Sequence, residues 1–325
     1  MIFIPFKQWV GSVGGPSTFM RNLRGDLLRK SYEFIEDIVN YKTADKIFFP
    51  ISFSKKILSY FKKNKYPIIQ RLDGVYYPSK HGIKYLYFNK DIKFNYLKYS
   101  DFIVFQSSYS RLECFTMLGE IDEDKYTIIC NGTDKSIFFP VKKEFNENKI
   151  IFTTTGSFRN KDMIEPVVLA LDIVAEEHNI ELRIVGPIIS NDVKRFTDRK
   201  YVRCLGQMDK KNLAEVLKES DILIHCQLNP ACPNTVIEAV SCGIPVVGFD
   251  TGAMKEVLYF APELLAYVSD DVFQKYEDFH FERLLEKINL CVSNYREFKS
   301  KFLKYSNLYD SKETSNYYIK IFNSF

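Results

Sequence analysis

Two cations stand two residues apart in "TTTGSFRNKD": Arg159 and Lys161, just past Gly156 and ahead of a segment with helical period. Arg offers a fork of donors and Lys a point charge, so together they can neutralise a diphosphate. The alternative is a pair of ordinary surface cations. A carboxylate, Glu238, lies inside the otherwise apolar helix pattern "TVIEAVSC". An acid buried there without a partner costs several kcal/mol, so ligand or protein has to supply one: two adjacent hydroxyls, such as those of a ribose, or a structural salt bridge. Ahead of it Asn234 reads as an N-cap, and Gly243 as the stop. The amides of Asn234, Thr235 and Val236, with the Thr235 hydroxyl, would then face an anion. "FDTGAMKEV" repeats the pattern, with Thr251, Gly252 and Ala253 exposing amides at another helix start and Glu256 supporting the turn. Near the N-terminus, "GSVGGPSTFMRNL" sets Gly14 and Gly15 where backbone can approach a ligand and Pro16 in a first helical turn. That stretch reads either as a phosphate cradle or as a tight strand-to-helix turn with no ligand.

Every one of these groups follows an apolar, β-branched or aromatic run. Candidate strands fall at 2–6, 46–51, 66–71, 101–106 and 126–130, with helices at 16–30, 53–63, 85–98 and 108–118. A second set of strands falls at 149–156, 181–186, 202–206, 221–226, 244–249 and 264–268, with helices at 161–178, 210–218, 235–242 and from 272 onward. This alternation is the signature of βαβ units around parallel sheets. Residues 131–149 mix turn residues with charge and carry little period, so they read as a linker. The expected class is α/β, two Rossmann-like domains facing a cleft, with ligands at the carboxyl ends of the strands. No G-x-G-x-x-G follows any candidate strand, and "GSVGG" has the wrong spacing, which argues against a dinucleotide enzyme.

The chain has 325 residues, 46% hydrophobic and 26% charged, which suits two compact domains. A net charge of +4 over that length is too small for a dedicated nucleic-acid face. No run approaches a membrane-spanning helix, "MIFIPFKQW" is too short for a signal peptide, and the chain is expected to be cytoplasmic. Seven cysteines without a C-x-x-C pair are expected as free thiols. Cys226, Cys232 and Cys242 with His225 suggest zinc only until their spacing is compared with that of structural sites. No metal is expected.

The segments "GGPSTFMRNL", "KYSDFIVFQSS", "IICNGTDKSIFFP", "TGSFRNKD", "LRIVG", "VRCLGQMDKKNLAEVLKESDILIHC" and "VIEAVSCGIPVVGFDTGAMKEV" occur in that order along nearly the whole chain. Together they resemble the retaining, nucleotide-sugar-dependent glycosyltransferases of the GT-B fold, family 4. The resemblance implies an acceptor domain at 1–140, a donor domain at 141–305, and a C-terminal helix at 306–325 returning to the first domain. It also implies a nucleoside-diphosphate sugar of UDP or GDP type as substrate, no cofactor, and a glycan or lipid-linked acceptor. Carried over by position, Arg159 and Lys161 hold the donor diphosphate beside Gly156, Glu238 takes the ribose hydroxyls, and Gly15 borders phosphate and acceptor.

Two departures stand out. The family pattern has two glutamates eight residues apart, and counting back from Glu238 lands on Pro230, so that Asn229, Asn234 or loop backbone would have to replace the first. In "QRLDGVYY", many relatives have a histidine where this chain has Asp73 between Arg71 and Gly74. Asp73 would contact a sugar or polarise the acceptor, or it forms a structural pair with Arg71. His81 is a candidate at the acceptor edge; His178 and His280 read as surface. Residues 76–101 are basic and aromatic. Such a segment rests on a lipid surface or grips an acidic glycan, or it packs its rings on the core and solvates its lysines. The first option would bring the chain to the inner face of a membrane.

Overall fold

A computed structural model describes residues 1–9 and 14–325. Val10, Gly11, Ser12 and Val13, including part of the glycine-bearing first turn, lie outside the described residues. The chain divides into two compact units, Met1–Asp134 with Asp310–Phe325, and Lys135–Tyr309. The crossing points therefore fall at 134 and 309, where the sequence reading places them at 140 and 305.

The first unit is a six-stranded parallel sheet, β1 (Ile2–Phe3), β2 (Phe34–Ile35), β3 (Lys46–Pro50), β4 (Ile68–Leu72), β5 (Phe102–Phe105) and β6 (Tyr126–Ile128), in the order β2-β1-β3-β4-β5-β6. Its helices are α1 (Gly15–Arg29), α2 (Lys55–Lys63), α3 (Pro78–His81), α4 (Tyr85–Lys98) and α5 (Ser108–Leu118). The central strands are buried on both faces, as parallel strands covered by helices must be, and largely apolar apart from Gln70 and Arg71 of β4. The first strand is shorter than the apolar run at 2–6, because Pro5 cannot donate to a ladder and Phe6–Gln8 turn into a 3-10 helix.

The second unit repeats the plan with β7 (Ile150–Thr155), β8 (Ile180–Val185), β9 (Val202–Gly206), β10 (Ile222–His225), β11 (Val246–Asp250) and β12 (Leu265–Tyr267), ordered β12-β11-β10-β7-β8-β9 and parallel throughout. Its helices are α6 (Glu165–Glu177), α7 (Asn191–Thr197), α8 (Lys210–Glu219), α9 (Asn234–Ser241), α10 (Met254–Val257), α11 (Phe281–Ser293) and α12 (Tyr295–Lys304). The order reverses between β7 and β10, so the carboxyl ends of those two strands flank the crevice where an open α/β sheet binds ligands.

The last helix, α13 (Ser311–Ser324), belongs to the first unit. Tyr318 and Phe322 complete the cluster of Phe19, Phe48, Leu23 and Leu27, and the Ser315 hydroxyl donates to buried Asp26 at 2.7 Å. Gly132 makes this crossing possible: a Cβ there would lie 2.6 Å from the backbone of Asp310 and Ser311. Among the described residues no helix is long and apolar enough to cross a membrane.

α5 carries an acid into the core. Glu113 is 2% exposed, its Oε1 has no hydrogen-bond partner among the described residues, and burial pushes its carboxyl well above the usual range against the opposing pull of Lys80 and the Val75 amide. The fold thus holds this proton at pH values where the unfolded chain, near about 4.3, has released it. Its contribution to stability is complete below that value and is lost as pH rises toward the folded pKa. Glu113→Gln keeps the neutral shape and removes the dependence. Thermal denaturation should show the variant gaining on the wild type steadily from about pH 5 to pH 8; a difference constant with pH would show Glu113 ionised in the fold.

Candidate functional site

Past β7 the chain is pinned by one side chain. Phe158 is fully buried, its amide donates to Pro187 O at 3.0 Å, and its carbonyl accepts from Ile189 at 2.9 Å. The residues on either side are exposed, so Arg159 is presented to solvent with no hydrogen bond or ion pair to another described residue. Gly186, at φ +124, sits where any Cβ would strike the Gly156 carbonyl, which lets the ends of β7 and β8 close on each other. Lys161 opens a 3-10 turn, its amide donating to Asp192 Oδ2 at 3.1 Å. Its ammonium is held by Glu165, 2.6 Å away, which Arg195 also approaches at 3.4 Å. A cavity of about 370 Å³ adjoins Lys161, but Asp162, Glu165 and Glu277 line it. Three carboxylates make it a poor place for a diphosphate, which would meet Lys161 from the Arg159 side or not at all.

Past β10 the loop 226–233 leads into α9. The N-cap is Pro233, not Asn234, which is already the first helical residue. Pro233, with φ fixed near −75° and ψ 93°, leaves the helix to begin immediately behind it. The first bond of the helix runs from Ile237 N to Pro233 O, so the amides of Thr235 and Val236 precede it, as expected of an anion-binding end. Glu238 lies one turn in, 3% exposed, and the predicted need for a partner is met by the protein: the Lys210 ammonium bonds Oε1. Burial raises the Glu238 carboxyl and Lys210 opposes it. Oε2 is buried with no donor among the described residues. Lys210 was missed in the sequence, although a lysine directly behind the N-cap Asp209 runs against the helix dipole and could have flagged it.

The second expected amide cluster is largely spent inside the fold. Thr251 N donates to Phe249 O at 2.9 Å and Ala253 N to Pro230 O at 2.8 Å, while the Thr251 side chain, 2% exposed, exchanges hydrogen bonds with Asn229. Neither Thr251 nor Ala253 offers its amide to a ligand. α10, which these residues precede, is only four residues long. Asn229, at φ 49°, also gives its side-chain amide to Gln274 O at 3.0 Å. Its side chain is therefore committed within the loop. Gly252 explains Pro230: at φ +58 its α-carbon lies so close that a Cβ would fall 2.5 Å from Pro230 N. Where the family pattern has an acid, backbone lies on backbone.

In the first unit, Arg71 is fully buried. It pairs with Asp73, donates from Nη2 to Asn131 Oδ1 at 2.7 Å, and stacks 3.7 Å from the Phe19 ring centroid. Asn131 passes the chain on to Gln106 at 2.8 Å. Arg71 was expected to touch the acceptor; with no exposed surface it instead orients Asp73, whose side chain is 9% exposed. Asn131 and Phe19, which hold Arg71, and Gln106, which holds Asn131, are not marked by the sequence. His81 packs among the rings of Tyr76, Tyr77 and Phe88, and burial lowers its pKa. It has no hydrogen bond or ion pair to Asp73. Gly14 and Gly15 are exposed at the start of α1, Gly14 at φ 128°. His178 is half-buried and His280 exposed. No disulfide joins any of the cysteines among the described residues, burial lowers His225 to about 4, and among the described residues no group of three acids, cysteines or histidines could hold a metal ion.

Residues 149–271 match the family model Glycosyl transferases group 1. That stretch lies within the second unit. The chain is 28% identical over 142 residues to N-acetyl-alpha-D-glucosaminyl L-malate synthase of Bacillus anthracis, covering 40% of this chain and 37% of that one. It is 25% identical over 158 residues to the GPI3 subunit of phosphatidylinositol N-acetylglucosaminyltransferase from Saccharomyces cerevisiae, covering 43% and 33%. The matched stretches thus span about a third of these curated relatives. Anabaena HepE, solved in complex with UDP-glucose, superposes with a TM-score of 0.71 at 14% identity, covering 100% of this chain and 99% of that one. The likeness is one of fold, the two Rossmann-like units of GT-B.

The Gly252 seat gives a direct test. Gly252→Ala forces a Cβ onto Pro230 at a backbone angle that L side chains avoid, and should cost about 2 kcal/mol or more, read as a fall in the denaturation midpoint. An unchanged midpoint would mean that the loop is not held by this contact.

Proposed function

We propose that this chain is a retaining glycosyltransferase that moves a sugar from a nucleoside diphosphate of UDP or GDP type to a glycan or lipid-linked acceptor, with no metal cofactor. The observation that carries the reading is the set of groups within one unit at the ends of β7 and β10: Arg159 exposed, Lys161 behind it, the leading amides of α9, and buried Glu238. Their chemistry suits a diphosphate with a pentose attached. The match to group 1 glycosyltransferases over those same residues supports it. The names of two curated relatives make an N-acetylglucosaminyl donor the first to try.

In this reading Arg159 and Lys161, with the Thr235 and Val236 amides, stabilise the departing diphosphate while positive charge develops on the sugar. Fixed donors aimed at developing charge are often the largest single contribution to catalysis. Gly14, Gly15 and Gly156 would let backbone come close to the ligand, Gly252 would hold the loop that borders it, and Asp73, oriented by Arg71, would serve the acceptor with His81 nearby in sequence. Pro230 favours one competing reading, a partner protein that binds the nucleotide sugar without turning it over. Incubation with UDP- and GDP-sugars separates the two: donor hydrolysis or transfer supports the enzyme, and binding without turnover supports the binding partner. Arg159→Ala and Lys161→Ala should each remove a charge-assisted contact of about 1.5 to 3 kcal/mol, a loss of roughly tenfold to a hundredfold or more in nucleoside-diphosphate affinity by calorimetry. Wild-type affinity in both variants would remove the site.

We infer in addition that residues 76–101 meet an anionic lipid surface. Ile83 is 82% and Tyr87 78% exposed, with Leu86, Phe88, Phe94 and Leu97 also at the surface, and exposed Lys80, Lys84, Lys90, Lys93 and Lys98 lie among them. Asp91, the acid of α4, is paired with Lys55. Packing of the rings on the core, the other reading, leaves this apolar surface uncovered. Contiguous apolar surface edged by lysine suits a membrane interface. The chain should sediment with vesicles containing anionic lipid and not with zwitterionic ones, and Leu86→Asp with Tyr87→Asp should abolish this while sparing nucleotide affinity. Equal sedimentation of the variant would end this assignment.

A further inference from the structure

Lys210 is not explained by the fold. It is the first residue of α8, where the positive end of the helix dipole disfavours a cation. Its ammonium nevertheless reaches Glu238 in the middle of α9, 28 residues away in sequence. If the pair served packing alone, two apolar residues of similar volume would do as well or better, because desolvating both charges costs what their attraction returns. The pair is also incomplete: one carboxylate oxygen is bonded and the other, Oε2, is buried with no donor among the described residues. The lysine side chain is 38% exposed and the glutamate 4%. A group arriving from solvent therefore meets the lysine before the acid.

We propose that Lys210 is a positioning residue of the donor site: it acts on the nucleotide's pentose through Glu238, holding that carboxylate by Oε1 and moving aside on its flexible stem to admit a hydroxyl. The inference rests on the donor-site reading above. A lysine ammonium on four rotatable carbons can shift by a few ångströms without leaving the reach of the charge it balances. While it stays near, it favours the carboxylate form of Glu238, which gives the hydroxyl a charge-assisted bond, about twice as strong as a neutral one. Without it, burial acts on the acid unopposed and favours the protonated form, which offers only the neutral bond. Lys210 therefore governs how strongly the protein distinguishes a pentose with hydroxyls from one without.

The test compares UDP and GDP with their 2′,3′-dideoxy counterparts by calorimetry, on the full chain. The wild type should prefer the ribonucleotide by roughly tenfold or more at neutral pH, the worth of one good hydrogen bond. In Lys210→Met that preference should fall at least about threefold and recover as pH is raised and Glu238 ionises; Lys210→Arg should restore it. A lysine that merely supports the fold would change both affinities by one factor, leaving the ratio at its wild-type value at every pH, and that result overturns the proposal. If the wild type binds nucleotide yet ignores the hydroxyls, Glu238 does not hold the pentose and the inference falls with that part of the donor reading. If it binds neither UDP nor GDP, the donor reading itself fails and takes the inference with it. Should Lys210→Met not fold, the wild type labelled with ¹³C and ¹⁵N at lysine still decides. The Lys210 ammonium signal, assigned with Lys210→Arg, should move with the ribonucleotide and stay with the dideoxy compound; no movement with either is a refutation.

Discussion

A carboxylate that is 3% exposed in the centre of a helix has to be answered by a cation, a proton or a ligand, and the second unit is arranged around that requirement. α9 cannot move to expose Glu238, because Val236, Ile237, Ala239 and Val240 are buried around it and Gly243 turns the chain sharply into β11. The answer therefore comes to the acid. Lys210 arrives from α8, and α8 is placed by β9 and β10, the strands on either side of it in sequence. The reversal of strand order between β7 and β10 then brings the Phe158 loop into the same neighbourhood. The sheet topology thus sets the loops that follow β7 and β10 at the ends of neighbouring strands.

The first unit solves a similar problem differently. Arg71 is a guanidinium without solvent, at the end of a central strand, and it is satisfied by Asp73, Asn131 and the face of Phe19. Its five donors in a planar fork allow several partners at once, which a lysine could not match. Asn131 belongs to the "NG" step whose glycine lets α13 cross, so the residues that orient Asp73 and those that seat the last helix are consecutive. Rigidity around Asp73 and closure of the first unit share one stretch of backbone.

What was legible in the sequence follows period and punctuation. α5 and β9 match their expected bounds, since apolar spacing and the flanking Gly119 and Gly206 mark them without ambiguity. β2 was invisible, because two half-buried residues carry no alternation to read. Within the site, Glu238 announces itself as an acid in an apolar pattern, and that it needs a partner follows from desolvation alone. Which partner does not, because Lys210 lies 28 residues upstream and only the packing of α8 on the sheet brings it near. The N-cap at Asn234 was misread for a local reason: Pro233 sets the entry to the helix, and propensity for capping yields to a fixed φ. Thr251 and Ala253 show the opposite failure. Their pattern promises ligand-facing amides, but Gly252 folds them back onto Pro230, a contact between loops that no spacing encodes.

Charge balance ties these observations together. Of the three cations on the donor side, Lys161 is neutralised by Glu165 and Lys210 by Glu238, while Arg159 has no carboxylate partner among the described residues. On the proposed donor reading, a diphosphate would meet the uncommitted Arg159 guanidinium and compete with Glu165 for the lysine. Binding on Arg159 alone leaves Lys161 where it is. On that reading, a ligand whose charge grows, as that of a departing diphosphate would when its bond to the sugar breaks, would gain more from the lysine than one whose charge stays constant. On the proposed donor reading, the Lys161–Glu165 pair would thereby favour the transition state over the bound ground state.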